Sequence, residues 1–125
     1  MIFGIGTDIV AVGRMAGLWE RHGERAMDKI LSPDERADCL ASPEPARFLA
    51  KRFAAKEAFG KAMGTGMRSP VAMPSITVAH DELGKPFFRL APELVKILAE
   101  LSMVPHLSIS DEHEHAVAFV ILEKS

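Results

Sequence analysis

The sequence predicts an α+β fold in which a mostly antiparallel sheet packs against one long central helix. The order of the patterns supports this, because a strand, several helices, a hairpin, another helix and a second hairpin follow one another along the chain. Residues 45–63 carry the apolar spacing and the end signals of one long helix. The chain has 125 residues, of which 48% are hydrophobic. This is enough for one core, so we expect a single domain over residues 1–125.

The first half of the chain has the pattern of one strand followed by helices. Residues 2–10 combine β-branched and aromatic side chains with small ones, which is typical of a buried strand. Helical spacing runs over residues 12–29, with Gly13, Gly17 and Gly23 as weak points. The segment SPDE at 32–35 has the composition of an N-cap and an acidic first turn. The segment SPEP at 42–45 repeats this signal and opens the long helix, which we expect to end at Gly64.

The second half contains two predicted hairpins separated by a helix. Residues 75–79 and 86–90 are strand-like and are joined by the short polar segment HDELGK. A helix begins near Pro92, and its apolar face consists of Leu94, Val95, Leu98 and Leu101. Residues 106–110 and 115–123 then form the last pair of strands around a charged turn.

The overall composition excludes several classes of partner. The formal net charge is -2 and 26% of the residues are charged, so the balance does not favour binding to nucleic acid. The single cysteine, Cys39, excludes an internal disulfide and fits a reducing compartment, so we expect a cytoplasmic protein. Residues 1–10 are apolar but are interrupted by two glycines and Asp8, lack a basic leader and are too short to cross a membrane. We therefore expect neither nucleic acid nor a membrane as partner.

A carboxylate inside the predicted long helix needs an explanation. Helical spacing places Glu57 in an apolar stripe that consists of Ala46, Ala50, Phe53, Ala54 and Gly60. A carboxylate removed from water destabilises the fold strongly unless it is paired, protonated or bound to a metal. Lys61, one turn further on, offers a structural ion pair, but such a pair contributes little on an exposed face. Glu57 is thus either half of a structural pair or a functional acid.

Asp8 raises the same question on the predicted first strand, where it shares one face with Gly4 and Gly6. One interpretation is an Asp that ends the strand by binding its own following backbone, while the glycines relieve crowding against a helix. The other is that a ligand approaches the backbone there. If strand and helix pack face to face, Asp8 and Glu57 meet in one cleft and are best stabilised by a shared cation. Oxygen ligands with open positions suit Mg²⁺.

Cations and glycines surround Glu57 in the sequence. The cationic side chains are those of Arg52, Lys56, Lys61 and Arg68. The segment GTG at 64–66 is either a helix C-cap followed by a turn or a segment that presents backbone N–H groups to an anion. An acid pair suited to magnesium, next to several lysines, is the composition that a diphosphate ligand needs.

The first predicted helix carries a basic stripe. Arg14, Arg21 and Arg25 follow at steps of seven and four residues, so they share one face if the helix runs unbroken through Gly23. That face either meets an acidic surface or is solvated surface charge. A break at Gly23 would remove Arg25 from the stripe.

Four sequence blocks resemble one known family. They are GIGTDIVAVGR at residues 4–14, RFAAKEAFGKAMGTG at 52–66, DELGKP at 81–86 and HLSISDEHEHAVAFVI at 106–121. Together, in this order and over essentially the whole chain, they resemble the holo-acyl-carrier-protein synthases, the small group of the phosphopantetheinyl transferases. The second block, with its KEA-x-x-K-A-x-GTG pattern, is specific.

The resemblance implies an enzyme that transfers the phosphopantetheine arm of coenzyme A to a serine of an acyl carrier protein and releases 3′,5′-ADP. It implies that Asp8 and Glu57 are Mg²⁺ ligands and that Lys61 lies near the diphosphate, so these three are the expected catalytic residues. It also implies a homotrimer with active sites between subunits. The residues implied to line the coenzyme A cleft are Arg52, Lys61, Gly64, Thr65, Gly66, Lys85 and Ser110.

The resemblance also implies where the acidic carrier protein docks and where this chain departs from its relatives. Arg14 and Arg21 match the basic first helix on which the carrier docks, and we extend this docking face to Arg25. Some relatives hold the 3′-phosphate with adjacent basic residues before the long helix, whereas this chain has SPEP there, which leaves two substitutes, Arg47 or Lys51. Others have a histidine where this chain has Asp111.

The sequence does not identify the group that accepts the serine proton, and two rival functions stay open. The serine proton could be removed by a metal-bound water, by the two carboxylates, or by Glu35 or Asp38. One rival is a different phosphotransfer or nucleotide-hydrolysing enzyme with the same acid pair. The other is a non-catalytic trimeric module that binds coenzyme A or a carrier protein.

The long helix is apolar on a second side, opposite Glu57, which consists of Phe48, Ala55, Phe59 and Ala62. A surface helix of a small monomer buries only one stripe. The second stripe meets either the rest of the domain or another subunit. We favour another subunit, and therefore an obligate homotrimer, because a domain of this size has a limited interior.

Overall fold

The computed structural model describes all 125 residues. The strands are β1 Ile2–Ala11, β2 Ile76–His80, β3 Pro86–Leu90, β4 Met103–Asp111 and β5 His115–Lys124. The α-helices are α1 Val12–His22, α2 Glu24–Ile30, α3 Arg36–Ala41, α4 Pro45–Met63 and α5 Pro92–Glu100, and short 3-10 turns lie at Pro33–Glu35 and Met73–Ser75. Among the helices, none meets the combined demands of length and apolarity for crossing a bilayer.

The strands form two antiparallel sheets. The larger sheet has the order β1-β5-β4, so β1 and β4 are its edges, and the smaller sheet pairs β2 with β3. Helix α4 packs across the larger sheet, and one cluster of 23 buried apolar residues reaches from Val10 to Leu122. The predicted α+β class, with a mostly antiparallel sheet against a long helix, is confirmed. The strands nevertheless divide into two sheets.

Most predicted elements are present, but two predicted boundaries are wrong. Helix α4 has the expected bounds, and Gly64 adopts the left-handed backbone, with φ 81°, that a C-terminal glycine favours. The helix expected over residues 12–29 is broken at Gly23, whose φ of 52° ends α1 and turns the chain into α2. Strand β4 begins at Met103, earlier than expected, because an edge strand tolerates Pro105.

Two glycines let α4 lie directly on β1. A Cβ atom at Gly4 would come within 1.9 Å of the carbonyl oxygen of Ala62, and one at Gly6 within 1.8 Å of that of Ala58. Both distances are far below van der Waals contact, so no other residue fits unless the helix moves. Of the two interpretations of these glycines, the structure shows the relief of crowding against a helix.

The second apolar side of α4 is largely covered within the chain. Ala55 and Phe59 are fully buried, and the Phe59 ring meets the Phe88 ring of β3 edge to face, with 5.2 Å between the centroids. The smaller sheet therefore covers the side of α4 that faces away from the larger sheet. The expectation that this second side contacts another subunit is wrong, because the rest of the chain is large enough to bury it.

A buried ion pair joins α4 to neighbouring segments. The side chains of Lys56 and Glu35 are 0% and 2% exposed, and Lys56 Nζ lies 2.6 Å from Glu35 Oε1. Lys56 Nζ also donates to the carbonyl oxygens of Ile30 and Met73, at 2.6 and 3.1 Å. Burial lowers the pKa of Lys56 to about 8, although the charge of Glu35 opposes this shift. Lys56 is therefore part of the scaffold, and the expectation that it belongs to the cations around a ligand is wrong.

Replacing Lys56 by Met should lower the free energy of unfolding by about 3–5 kcal/mol, because Glu35 is left as a buried carboxylate without its nearest cation. The double variant Glu35→Gln with Lys56→Met should be more stable than the single one, since the buried carboxylate that loses Lys56 is then replaced by a neutral amide. Urea unfolding followed by circular dichroism measures both, with Lys96→Met on the exposed side of α5 as the control. A double variant no more stable than the single one would contradict this role of the pair.

Candidate functional site

An ion pair at the open edge of β1 holds two of the predicted catalytic residues. Lys61 Nζ lies 3.2 Å from Asp8 Oδ1 and donates to the carbonyl oxygen of Thr7 at 2.9 Å. Asp8 is on the same strand face as Gly4 and Gly6, so the close packing of α4 on β1 brings the last turn of the helix to it. Asp8 is largely buried, whereas Lys61 is half-exposed. The ammonium is therefore positioned by β1 yet open to a ligand.

Glu57 is the acid of this site that lacks a cation partner. Lys61 pairs with Asp8 rather than with Glu57, so the alternative of a structural Glu57–Lys61 pair is wrong. Burial raises the pKa of Glu57 and the negative charge of Asp8 raises it further, whereas Lys61 and Arg14 lower it. The influence of Asp8 reflects the proximity of the two carboxylates across the contact of α4 with β1. Asp8 and Glu57 are named here the acid pair, and with Lys61 they form the edge cluster.

The donor set of the acid pair fits a Mg²⁺ ion that is shared with a phosphate ligand. No group of three or more His, Cys, Asp or Glu side chains in the chain forms a complete metal cage. Mg²⁺ is commonly bound by only one or two carboxylates, and water and substrate phosphates supply the other ligands. Two carboxylate side chains from two different elements, with no sulfur or imidazole beside them, match this pattern.

The segment after α4 caps the helix. The backbone N–H of Gly64 donates to the carbonyl oxygen of Lys61 at 3.0 Å, and those of Thr65 and Gly66 donate to that of Gly60 at 3.2 and 3.0 Å. All three amides are therefore engaged, and the structure shows the C-cap rather than an array of free N–H groups. A ligand at this segment would meet the exposed backbone and the Thr65 hydroxyl.

Three other residues expected to line the cleft lie apart from the acid pair within one chain. Arg52 is buried, and its guanidinium donates to the Val78 carbonyl oxygen and lies 4.4 Å from the Phe48 ring centroid. Lys85 is exposed in the turn between β2 and β3, and Ser110 is exposed on β4. None of these side chains contacts the acid pair through a hydrogen bond or an ion pair.

A second group of cations lies at the start of α4, at the opposite edge of the larger sheet. It borders a cavity of about 150 Å³, whose polar lining includes Ser42, Glu44, Arg47, Lys51, Arg52 and His80. Arg47 Nη1 lies 3.1 Å from Asp111 Oδ2, and Lys51 Nζ lies 3.4 Å from Asp111 Oδ1. Burial lowers the pKa of His80, and the charges of Arg52 and Lys51 lower it further. This cavity is named here the basic pocket.

The basic stripe expected on the first helix is divided between two helices. Arg14 and Arg21 lie on α1, and the Arg14 guanidinium is 5.4 Å from the Phe53 ring centroid. Arg25 lies on α2, beyond the break at Gly23. The condition for one three-residue stripe, a helix unbroken at Gly23, is therefore not met, and the break removes Arg25 from the stripe.

An apolar groove between α1, α2 and α4 is a feature that the sequence does not predict. Its cavity has a volume of about 320 Å³. Its apolar lining consists of Leu18, Ala26, Ile30, Phe53 and Met73, and its polar lining consists of the cations Arg25 and Lys29 together with His22. The groove forms because α1 and α2 diverge at Gly23, and the pattern of either helix alone carries no signal for it.

The fold and the edge cluster place two carboxylates and a lysine at an open edge of the larger sheet. Residues 4–120 match the family model described as 4'-phosphopantetheinyl transferase superfamily, so the chain belongs to this superfamily.

Relatives of nearly the same length show which group of this superfamily the chain resembles. A holo-[acyl-carrier-protein] synthase from Dechloromonas aromatica is 58% identical over 123 residues, which cover 98% of each chain. The crystal structure of a holo-[acyl-carrier-protein] synthase from Neisseria meningitidis is 46% identical, with a TM-score of 0.94, and the match covers 99% of this chain and 100% of that one. A holo-(acyl-carrier-protein) synthase from Bacillus anthracis, in complex with CoA (3',5'-ADP), is 37% identical, with a TM-score of 0.83 and coverage of 100% and 99%. The family that the four sequence blocks predict, the holo-[acyl-carrier-protein] synthases, is confirmed.

Replacing Glu57 by Gln should stabilise the protein at pH 7 but not below about pH 4. The pKa of Glu57 is higher in the folded protein than in the unfolded chain, so the folded protein binds the carboxyl proton of Glu57 more tightly. The free energy of unfolding therefore falls as the pH rises and Glu57 loses this proton. The gain should be below about 1 kcal/mol, because the side chain is only half-buried. Thermal unfolding at both pH values measures it, with Glu82→Gln in the exposed turn between β2 and β3 as the control. Wild-type protein more stable than Glu57→Gln at pH 7 would contradict the raised pKa.

Proposed function

We propose that the protein transfers the 4′-phosphopantetheine group of coenzyme A to a serine of an acyl carrier protein, in a Mg²⁺-dependent reaction that releases adenosine 3′,5′-bisphosphate. The observation that carries this proposal is the edge cluster, because an acid pair and a lysine are what a diphosphate donor requires. The names of the relatives specify the carrier protein, and one relative was solved with CoA (3',5'-ADP).

The single, unpaired cysteine, Cys39, fits the reducing cytoplasm, which we propose as the location of the protein.

The proposed reaction is an in-line attack of the serine oxygen on the β-phosphorus of coenzyme A. A bond forms between these two atoms, the bond from this phosphorus to the bridging oxygen breaks, and adenosine 3′,5′-bisphosphate leaves with that oxygen. Bound by the acid pair, Mg²⁺ would offset the charge of the diphosphate. Lys61 would stabilise the charge that develops on the leaving group, and its bond to the Thr7 carbonyl oxygen keeps the ammonium in place.

The serine proton needs an acceptor, and the positions of Glu35 and Asp38 argue against both of them. Glu35 is buried and accepts hydrogen bonds from Lys56 and from two backbone N–H groups, so it cannot reach a substrate. Asp38 lies on α3 and lines a cavity with Arg52 and His80 rather than with the acid pair. The candidates that fit the site are therefore the acid pair itself and water.

The apolar groove, with the cations Arg25 and Lys29 in its lining, fits an acidic amphipathic helix of the carrier protein. A helix of this kind binds through an apolar face, while its charges choose the orientation and accelerate the encounter. Arg14 and Arg21 extend the positive charge along α1 beyond Arg25 in the groove. Strand β1 leads from Asp8 directly into α1, so a carrier docked on α1 would lie next to the acid pair.

The outer face of the larger sheet supports the proposal of a homotrimer. This face is turned away from α4, and its exposed apolar side chains include Phe3, Ile5, Ile9 and Phe119. Ile5 pairs with Ile121 and Thr7 with Phe119, so these residues form one patch, and exposed patches of this kind mark protein interfaces. Association through this face would also let the acid pair at the β1 edge of one copy face the basic pocket at the β4 edge of the next.

Incubation with apo carrier protein, coenzyme A and Mg²⁺ should add the mass of one phosphopantetheine group to the carrier. Asp8→Ala and Glu57→Ala should lower the rate at limiting Mg²⁺ by at least about 10²-fold, and a chelator should stop transfer until Mg²⁺ is restored. Intact-mass spectrometry measures the transfer, circular dichroism checks the fold, and Glu82→Ala is the control.

Two outcomes of this experiment would contradict the proposal. Near-wild-type transfer by a folded Glu57→Ala variant at limiting Mg²⁺ would refute the metal assignment. Binding of coenzyme A or of the carrier without any mass increase would identify a non-catalytic binding module.

Replacing Arg14 or Arg21 by Glu should raise the Michaelis constant for the carrier protein about tenfold at low salt, because a charge that attracts the carrier becomes one that repels it. The Michaelis constant for coenzyme A should stay unchanged. Steady-state kinetics at two salt concentrations measure the effect, with Lys96→Glu on α5 as the control. Unchanged carrier kinetics with an unchanged salt dependence would show that these arginines are ordinary surface charges.

Replacing Ile9 by Asp should dissociate the homotrimer, because Ile9 is 64% exposed on the apolar outer face. Specific activity should fall together with the trimer content. Sedimentation velocity and the transfer assay over one dilution series measure both, and Leu83→Asp, an equally drastic change at an exposed turn residue, is the control. A fully active monomer would refute both the trimer and the shared active site.

A further inference from the structure

The strands of the larger sheet place one ionisable pair on its outer face, formed by His106 of β4 and Glu123 of β5. The imidazole Nε2 of His106 lies 3.0 Å from Glu123 Oε1, and neither side chain has another ion-pair partner in the chain. An ionised carboxylate only accepts hydrogen bonds, so Nε2 carries the proton that it shares with Glu123. Both side chains are about half-exposed, and an exposed pair of this kind contributes little to the stability of a single chain.

The pair is continuous with the exposed apolar patch of the outer face. Ile121 of β5 lies opposite Ile5 of β1 on one side and opposite His106 of β4 on the other, so one row of side chains crosses the sheet. Glu123 lies opposite Val104, which is 48% exposed. Cross-strand neighbours on one face of a sheet are in contact range. A surface that covers the apolar patch at Ile5 therefore reaches the pair as well.

Other charged groups of the chain do not pair with His106 or Glu123. The other ionisable side chain that the strands place on the outer face is that of His115, near the opposite end of β5, and its Nδ1 lies 3.1 Å from Glu112 Oε1. Strand residues alternate between the two faces, so Asp8, Asp111 and Lys124 belong to the inner face together with the charged residues of α4. The remaining charged groups of the elements that contact β4 and β5 are the amino terminus before β1, Arg89 on β3, and Glu93, Lys96 and Glu100 on α5.

Association through the outer face would change the surroundings of the pair. The carboxylate of Glu123 would lose water, and a carboxylate removed from water is stabilised by a cation. Histidine can supply this cation, because its protonation changes between about pH 5 and 8. With a neutral His106, each copy brings one uncompensated negative charge into the contact, and these charges repel one another. With a protonated His106, each copy brings an ion pair without net charge.

We propose that the pair of His106 and Glu123 lies in the contact between copies of this chain and takes up a proton when the copies associate. This inference rests on the proposed homotrimer. The proton comes from solvent and binds to Nδ1 of His106, since Nε2 already carries the proton shared with Glu123. Association is therefore stronger at about pH 6 than at about pH 8, because the assembled copies bind more protons than the separate copies do.

Sedimentation velocity over a dilution series measures the protein concentration at which half of the trimer dissociates. For the wild-type protein this concentration should be at least about tenfold lower at about pH 6 than at about pH 8. His106→Gln keeps an N–H donor for Glu123 but takes up no proton, so it should lose this dependence. Glu123→Gln should reverse it, because a protonated His106 then enters the contact without its carboxylate. The control is His115→Asn, which removes the other imidazole of the outer face and should keep the wild-type dependence.

The outcomes separate this inference from the proposed function. A wild-type trimer that dissociates equally at both pH values, or more readily at the lower one, would overturn the proton uptake and leave the trimer in place. A dependence that persists in His106→Gln, or that disappears in His115→Asn, would assign the proton to another group and overturn the inference as well. A monomer at every concentration and pH would refute the trimer and the inference together, while the transfer assay would still decide whether the protein modifies the carrier.

Discussion

The contact of α4 with β1 at Gly4 and Gly6 is the constraint on which the rest of the structure depends. At both positions the helix backbone occupies the space of a Cβ atom, which would lie 1.9 or 1.8 Å from a helix carbonyl oxygen. A larger residue at either position would push α4 outward, because a packed interior absorbs little displacement. Glu57 and Lys61 would then move away from Asp8, so two glycines without chemistry of their own set the geometry of the edge cluster.

Neighbouring residues of helix α4 point in different directions and therefore have different roles. Successive side chains on a helix are rotated by about 100°, so Lys56 points to the buried Glu35 while Glu57 points to the edge of β1. The inner pair and the fully buried Phe59 hold the helix between the two sheets. A helix held in this way can present a carboxylate without a cation partner, because its stability comes from other contacts.

Two features of the single chain do not serve its own stability, and each is consistent with the proposed function. Glu57 lacks a cation partner, which a bound Mg²⁺ would supply. The outer face of the larger sheet exposes Ile9 and Phe119, which a neighbouring copy would cover.

The sequence by itself predicted most of the elements and the family, and it singled out the two carboxylates of the acid pair as candidates. The bounds of α4 follow from Pro45 and Gly64, and the hairpins follow from alternation and turn residues, because these signals act over a few neighbouring residues. The chain also contains the four blocks that predict the family, and Asp8 and Glu57 are recognisable because each is a charge on an otherwise apolar or glycine face.

Only the tertiary structure decided which partner each of these side chains meets. It paired Lys61 with Asp8 instead of Glu57, buried Lys56 against Glu35, and covered the second side of α4 with β3. Helical spacing gives the direction of a side chain about the helix axis, but the group found in that direction comes from residues far away in the chain. The packing of distant segments determines this interaction partner, and a local sequence pattern does not encode it.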